Sequence, residues 1–575
     1  MVGNVPHLQV SFIEKVRQFV STYSSYARSA RNSRSLCSTS LLFLSALVLI
    51  LAACGGSSSN APAPNASPAL AADQVLTFPN VGTQDIGTMD PAQGPDANSA
   101  VAVGMVYTGL VKFDKDLNVV PDQATWSISS DRKTYTFTLK PGITFSDGTP
   151  VTAQTYVYTF TRALLPEVKS PIATFFLGNI VGANDVNNNK TKVLRGVQAI
   201  NDTTLQITLT QPTEYFLEIM ANSIAFPLNK NIINQYGQTD WPNHVAQNGV
   251  GTGPFMVKEW DHNVKMVLVP NPHWYGAKTR LKEVDMIFAN DPSTAFKSYQ
   301  AGQYAFDWSV TSQDLQIAKG MAGFTSKSLL QTDLLFFDNT KPPFNKPAVR
   351  QAFAYAIDKT TLVNTIFKGA AIPAPTIIPP GMPGYQANFQ GIPYDKSKAL
   401  QLLQTVYPDV SKVPTVTFSY PNSQVSQLEA AALQQMWQNA LGIQVKLNSV
   451  ELNAYNMETA TQPPVIQFGY TQWTADYPDP YDWLALNLTS TASNNSGDWK
   501  NPQFDQTIAQ AEQMTGNARL QLYNQAEQIA INDVGWLPID HQALSAILPS
   551  YVHGVSLNNM GLYFGDWSDV YLLQH

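Results

Sequence analysis

Trp473-Thr474-Ala475-Asp476 follows the strand-like stretch Val465-Ile466-Gln467-Phe468-Gly469-Tyr470 and precedes Tyr477-Pro478-Asp479-Pro480. The two prolines forbid the strand from continuing as an interior one, so Trp473 and Asp476 stand where a strand ends and a loop begins. Such a place offers a carboxylate, an aromatic face and free backbone groups to one ligand, a set that suits an extended peptide bearing an ammonium group. The residues alone leave two readings open, ligand contact and a structural turn. Asp476, Asp479 and Asp482 are spaced by three, but Pro478 and Pro480 keep them off one helical face and no calcium-loop spacing matches. His244, His262, His273, His541 and His553 are scattered, so neither set reads as a metal site. There is no Gly-x-Ser-x-Gly, His-Glu-x-x-His or Cys-x-x-Cys, and the absence of any Gly-Lys pair excludes a P-loop. Gly249-Val250-Gly251-Thr252-Gly253-Pro254 superficially matches a dinucleotide loop, but a strand-like stretch follows where a helix is required, so it reads as a tight turn between strands or domains.

The other reactive group is Cys54. It closes the apolar run that begins at Leu41, and Arg28, Arg31 and Arg34 precede that run. The run is long enough for the core of an export signal and short of the ~20 residues that span a bilayer. Leu51-Ala52-Ala53-Cys54 resembles the bacterial lipobox, which implies cleavage before Cys54 and acylation of its thiol. Residues 1–53 are then a signal peptide with an N-terminal extension. Residues 54–72, rich in Gly, Ser, Ala and Pro, form a lipidated linker with no apolar face to bury, reaching about 25 Å as a coil.

The chain has 575 residues, a net charge of −7 and two cysteines. Loss of Cys37 with the signal and acylation of Cys54 leave no thiol for an intramolecular disulfide or a thiolate metal site. The signal is net positive, so the exported chain is more acidic still, and nucleic acid is excluded as a partner. Charged residues make up 13% of the chain, against about 25% on average, which suits an extracytoplasmic protein that meets its ligand through hydrogen bonds and stacking.

The elements that must position Asp476 are mixed. Thr134 to Leu139 alternates polar and apolar, and Pro141-Gly142 turns it toward Ile143-Thr144-Phe145, predicting a hairpin. Thr152 caps a helix running to about Leu165, and further strands are expected around Leu205 to Leu209, Val264 to Val269 and Val284 to Phe288. Asn345 and Pro347 predict a cap and first-turn proline for a helix carrying Val349, Phe353 and Ile357, and Asp358 caps a second helix ending at Gly369.

The segments GTMDPA (87–92), YTGLVKFD (107–114), TYTFTLKPGITFSDGTPVTAQTYVYTFTRAL (134–164), GTGPFMVKEW (251–260), NPHWYG (271–276), NTKPPFNKPAVRQAFAYAID (339–358), YDKSKALQLL (394–403) and WTADYPDP (473–480) occur in one order through the chain. Together they resemble the solute-binding proteins of oligopeptide and dipeptide ABC importers. The resemblance implies an α/β fold, a two-lobed periplasmic-binding-protein-like clamp with an additional third domain. Lobe I would combine 73–110, 231–337 and 541–575, the extra domain would be 111–230, and lobe II 338–540. It also implies a monomeric receptor, not an enzyme, that takes a short peptide between its lobes, hands it to an ABC permease, is held to the membrane by its lipid and uses no cofactor. By the same resemblance Asp476 holds the ligand's α-amino group, with Trp473 and the backbone of Thr474 lining the cleft. Some oligopeptide binders carry an arginine where this chain has Tyr470, so the grip on a ligand carboxylate is left open. An oligosaccharide or another small solute is the alternative ligand, motivated by the 11 Trp and 24 Tyr.

Cys54 is the one nucleophile placed after the apolar run. Cys54→Ser is expected to abolish lipidation, so metabolic labelling with a fatty acid should mark the parent protein and leave the variant unlabelled. Equal label in both refutes the assignment.

Overall fold

The computed structural model describes residues 74–574; Cys54 and the rest of 1–73 lie outside the described residues. Among the described residues no helix is long and apolar enough to cross a membrane.

Three sheets organise the chain. In the first, Val75–Val81 pairs in parallel with Glu283–Ala289, and Lys265–Pro270 and Phe255–Asp261 complete it antiparallel. Leu76, Phe78, Met266, Leu268 and Met286 supply its core, which Phe564, Trp567 and Val570 close from the far end of the sequence. The second is an antiparallel sheet in the order Ala124–Ile128, Thr134–Leu139, Thr204–Thr208, Val197–Asn201. Its strands alternate as amphipathic strands do: Tyr135, Phe137 and Leu139 are buried, and so are Leu205 and Ile207 across the sheet. The helix Ala153–Leu164 lies among the residues of the same core, and Thr152 begins it, its N–H donating to Thr155 Oγ1 at 3.1 Å.

The third sheet has six strands, in the order Ala371–Pro373, Leu537–Ile547, Phe324–Phe337, Phe468–Thr474, Thr417–Pro421, Lys446–Val450. Trp437, Phe353, Phe418 and Phe468 share one of its cores, and Trp483, Trp499, Phe504 and Tyr523 share another. Phe324–Phe337 and Leu537–Ile547 are its longest strands and reach out of it toward the first sheet. Phe324 lies opposite Ile547, whose backbone exchanges hydrogen bonds with Asp307. Their register shifts between Ser328 and Thr332 and again between Asp333 and Leu334. Such bulges bend a strand and add local twist.

Three sequence expectations need correction. Thr134–Leu139 does not form a hairpin with Ile143-Thr144-Phe145; its partners are Ala124–Ile128 and Thr204–Thr208. The long-range pairing places Leu205 and Ile207 beside Tyr135 and Phe137, burying more apolar surface than a local hairpin offers. Residues 143–151 turn back on themselves instead, with Val151 N–H donating to Ile143 O at 2.9 Å. The helix expected after Asn345 spans Pro347–Tyr355, so the cap position is Lys346 and Ile357 lies beyond its end. The strand expected at 465–470 is displaced to Phe468–Thr474, because pairing with Gln331 to Phe337 carries it further than the alternation suggested.

Gly251 belongs to a close crossing: a Cβ there would come within 1.9 Å of the Val106 carbonyl oxygen. Beside it, Thr252 Oγ1 accepts from Gln123 Nε2 at 2.9 Å and lies 2.9 Å from Thr108 Oγ1. The glycine-rich stretch is thus a point of backbone contact. Nearby, Arg162 donates to both carboxylate oxygens of Asp90, at 3.1 and 2.8 Å, with both side chains buried. Deleting the cation leaves a buried charge unpaired, so Arg162→Ala is expected to destabilise the protein by about 3–5 kcal/mol. Urea denaturation should show a lower midpoint, most of it recovered in the double variant Asp90→Asn/Arg162→Leu.

Candidate functional site

The strand Phe468–Thr474 delivers the candidate residues. Trp473 stands opposite Thr332 and Thr474 opposite Gln331, and Ala475 N–H still donates to Leu330 O at 2.8 Å. In an antiparallel pair, hydrogen-bonded and non-bonded positions alternate. The bond at Ala475 therefore makes Thr474 a non-bonded position, whose N–H and C=O point away from Phe324–Phe337. On that other side the parallel neighbour Thr417–Pro421 pairs only with Phe468 and Gly469, so the sheet edge at Thr474 is open.

Beyond Ala475 three acids of the loop stand in different settings, and two of them hold the chain. Asp479 takes a bidentate grip from Arg519, at 2.7 and 2.8 Å, and Arg519 also donates to Glu512 at 3.2 Å. Asp482 is fully buried, and its Oδ2 accepts from the Asp476 N–H at 3.0 Å and from Trp473 Nε1 at 3.2 Å. Asp476 differs from both. No protein donor among the described residues is bonded to its carboxylate, and burial pushes its pKa from 3.8 up to about 6. Burial, and after it the charge of Asp476, push Asp482 up as well.

Trp473 and Asp476 line a cavity of about 570 Å³, together with Phe175, Tyr215, Tyr481 and Asn494. That volume lies within the range of small-molecule sites. Its far wall comes from the second sheet's domain. Tyr215 stacks on Tyr481 with ring centroids 4.4 Å apart and on Tyr477 at 5.3 Å. Tyr477 is buried within that domain's core, and Asn222 Nδ2 donates to the Asp476 carbonyl at 3.3 Å. The loop that carries Asp476 is therefore also the place where two cores touch.

Of the residues singled out in the sequence, Trp473 and Asp476 share the cavity wall, Thr474 presents backbone at an open edge, and Cys54 lies outside the described residues. The spacing of Asp479 and Asp482 was visible in the sequence, but their roles as loop anchors were not. Tyr215 and Asn222 had no signal at all, being more than 250 residues away.

The sequence pattern of the bacterial extracellular solute-binding proteins, family 5 (middle), matches residues 118–495. The chain belongs to this family. Its members are transport receptors that act outside the cytoplasm. The oligopeptide-binding protein OppA of Bacillus subtilis is 28% identical over 538 residues, 90% of this chain and 96% of its own. The probable deoxycholate-binding periplasmic protein YgiS of Escherichia coli is 31% identical, over 85% of this chain and 92% of its own. Among solved structures, the murein tripeptide binding protein MppA of Escherichia coli superposes with a TM-score of 0.73 at 28% identity, covering 87% of this chain and 99% of that one. The two-lobed clamp with a third domain is the fold of this family 5 solute-binding protein.

A carboxyl whose pKa is raised by folding favours the fold while protonated. Its stabilising contribution is complete below the unfolded value of 3.8 and is lost as pH rises through about 6. At pH 7.5, ionised and unpaired, Asp476 is a cost. Asp476→Asn is expected to stabilise the ligand-free protein at that pH by about 1–3 kcal/mol, allowing for partial solvent screening. The gain in melting temperature should vanish near pH 4; a gain independent of pH contradicts the assignment.

Proposed function

We propose that the protein is a lipid-anchored extracytoplasmic receptor that binds short peptides between two lobes and delivers them to an ABC importer. The observation that carries the reading is the Asp476 carboxylate, half-buried and without a protein donor, on the wall of an aromatic cavity. An unpaired buried carboxylate is costly, and a ligand ammonium removes the cost. A strand edge open at Thr474 suits the main chain of the same ligand, pairing as an added strand. Two of the relatives' names point the same way, since OppA is an oligopeptide-binding protein and MppA binds a murein tripeptide, whereas YgiS is named for deoxycholate. A sugar would find the aromatic walls but would leave Asp476 without a cation.

In this reading the first sheet belongs to lobe I, the second to the extra domain and most of the third to lobe II; the cavity at Asp476 lies between lobe II and the extra domain, and the peptide extends from it into the space between the lobes. Phe324–Phe337 and Leu537–Ile547 are the crossing segments about which the lobes close. The lipid anchor rests on the sequence around Cys54. The receptor acts as a monomer, performs no covalent chemistry and relies on its permease partner for ATP.

Removing one partner of a buried, hydrogen-bonded charge pair costs about 2–5 kcal/mol, or roughly thirtyfold to several thousandfold in affinity. Calorimetry with trialanine and its N-acetylated form is expected to show losses in that range for Asp476→Asn with the free amine, and for the parent with the acetylated peptide. The two losses should not add. Undiminished binding of the acetylated peptide by the parent would falsify the ammonium site.

A further inference from the structure

Asp482 is not required by the reading above, yet its placement is unusual. It is the third of the acids that the sequence spaces by three, and it sits in the wide turn Tyr481–Ala485, of the π type that recurs at functional sites. It is fully buried. Among the described residues its Oδ1 has no partner, which for a buried carboxyl is a standing cost. Its Oδ2 accepts two N–H bonds, one from the indole of Trp473 and one from the main chain of Asp476. Both donors belong to residues that line the cavity.

The turn that carries Asp482 is itself fixed. Its N–H donates to Asp479 O at 3.1 Å, its carbonyl accepts from Asn487 Nδ2 at 2.9 Å, and Asp479 is clamped by Arg519. A chain of contacts thus runs from a buried ion pair to the cavity wall. The bond to the Asp476 amide sets where that residue's side chain leaves the backbone, and the bond to Nε1 sets the plane of the Trp473 ring.

We propose that Asp482 is the positioning residue of the ligand cavity, holding the Asp476 main chain and the Trp473 indole on one carboxylate oxygen so that carboxylate and ring meet a ligand ammonium together. The inference rests on the reading of Asp476 as the ammonium anchor. Asp482 touches no ligand itself. Because the grip needs an acceptor oxygen and not a particular charge, an amide at this position preserves it.

The test uses the full-length protein in detergent, with trialanine and N-acetyl-trialanine titrated against the parent, Asp482→Ala, Asp482→Asn and Trp473→Phe. Loss of the two hydrogen bonds corresponds to about tenfold to a hundredfold in affinity. Asp482→Ala is expected to weaken trialanine by that factor and the acetylated peptide by less than about threefold, since only the amine senses where Asp476 points. Asp482→Asn should stay within about threefold of the parent on both. Trp473→Phe keeps a ring and deletes one donor, so it should show a smaller loss, again larger for the free amine; it keeps the test alive if Asp482→Ala does not fold. Equal losses on the two peptides, or none, overturn the positioning role. If the parent itself fails to distinguish the peptides, the ammonium reading falls first; if it distinguishes them and Asp482→Ala loses equally on both, only the role of Asp482 falls.

Discussion

The register of Phe324–Phe337 against its two neighbours is the constraint on which the site depends. Thr332 lies opposite Trp473 on one side and His541 on the other, so one residue of this strand registers both Phe468–Thr474 and Leu537–Ile547. Its hydroxyl is 2.9 Å from His541 Nδ1 and donates to Ile377 O at 2.9 Å. Burial, and after it the charge of Lys359, pushes His541 down to about 3, which keeps the ring neutral. A slip of one residue would turn every side chain of Phe468–Thr474 to the opposite face, moving Trp473 away from Asp482. Buried Leu334 and Phe336 on one face and Leu335 and Phe337 on the other oppose such a slip.

Electrostatics then separates the acids of the loop. Asp479 and Glu512 share Arg519, whose guanidinium also lies over the Tyr215 and Tyr523 rings at 5.7 and 4.7 Å. Glu218, from the facing domain, is pushed up to about 7 by burial. One cation therefore serves several carboxyls, and it is committed to Asp479 and Glu512. Asp476 is left over. The imbalance leaves the Asp476 carboxylate as the unpaired acid on the cavity wall, the place the proposed function gives to a ligand ammonium.

Much of this was legible in the sequence, for physical reasons that differ by element. Thr134–Leu139 was visible because a half-buried strand alternates, and Asp358 because its side chain caps a helix that starts at the next residue, accepting from Thr361 N–H at 3.0 Å. The partner of Thr134–Leu139 was not visible, since Thr204–Thr208 is chosen by long-range packing against Tyr135 and Phe137. In the site, Trp473 and Asp476 could be singled out because prolines end the strand beside them. The end of that strand was misplaced because its last residues are held by a partner some 140 positions away, opposite Gln331 and Thr332. Asp482 drew attention only as a spacing that failed as a cation site.

The loop from Ala475 to Pro480 carries two tasks on one short backbone, and that coupling explains its composition. Tyr477 is spent on the core of the neighbouring domain and Asp479 on Arg519, which leaves Asp476 between two fixed points. Ala475 N–H is bonded to Leu330 on the side before it, so the backbone on both sides of Asp476 is restrained and its carboxylate has little freedom to retreat into a protein hydrogen bond. Anchoring the neighbours leaves the central acid without a protein donor among the described residues, on the wall that Tyr215 and Tyr481 also line.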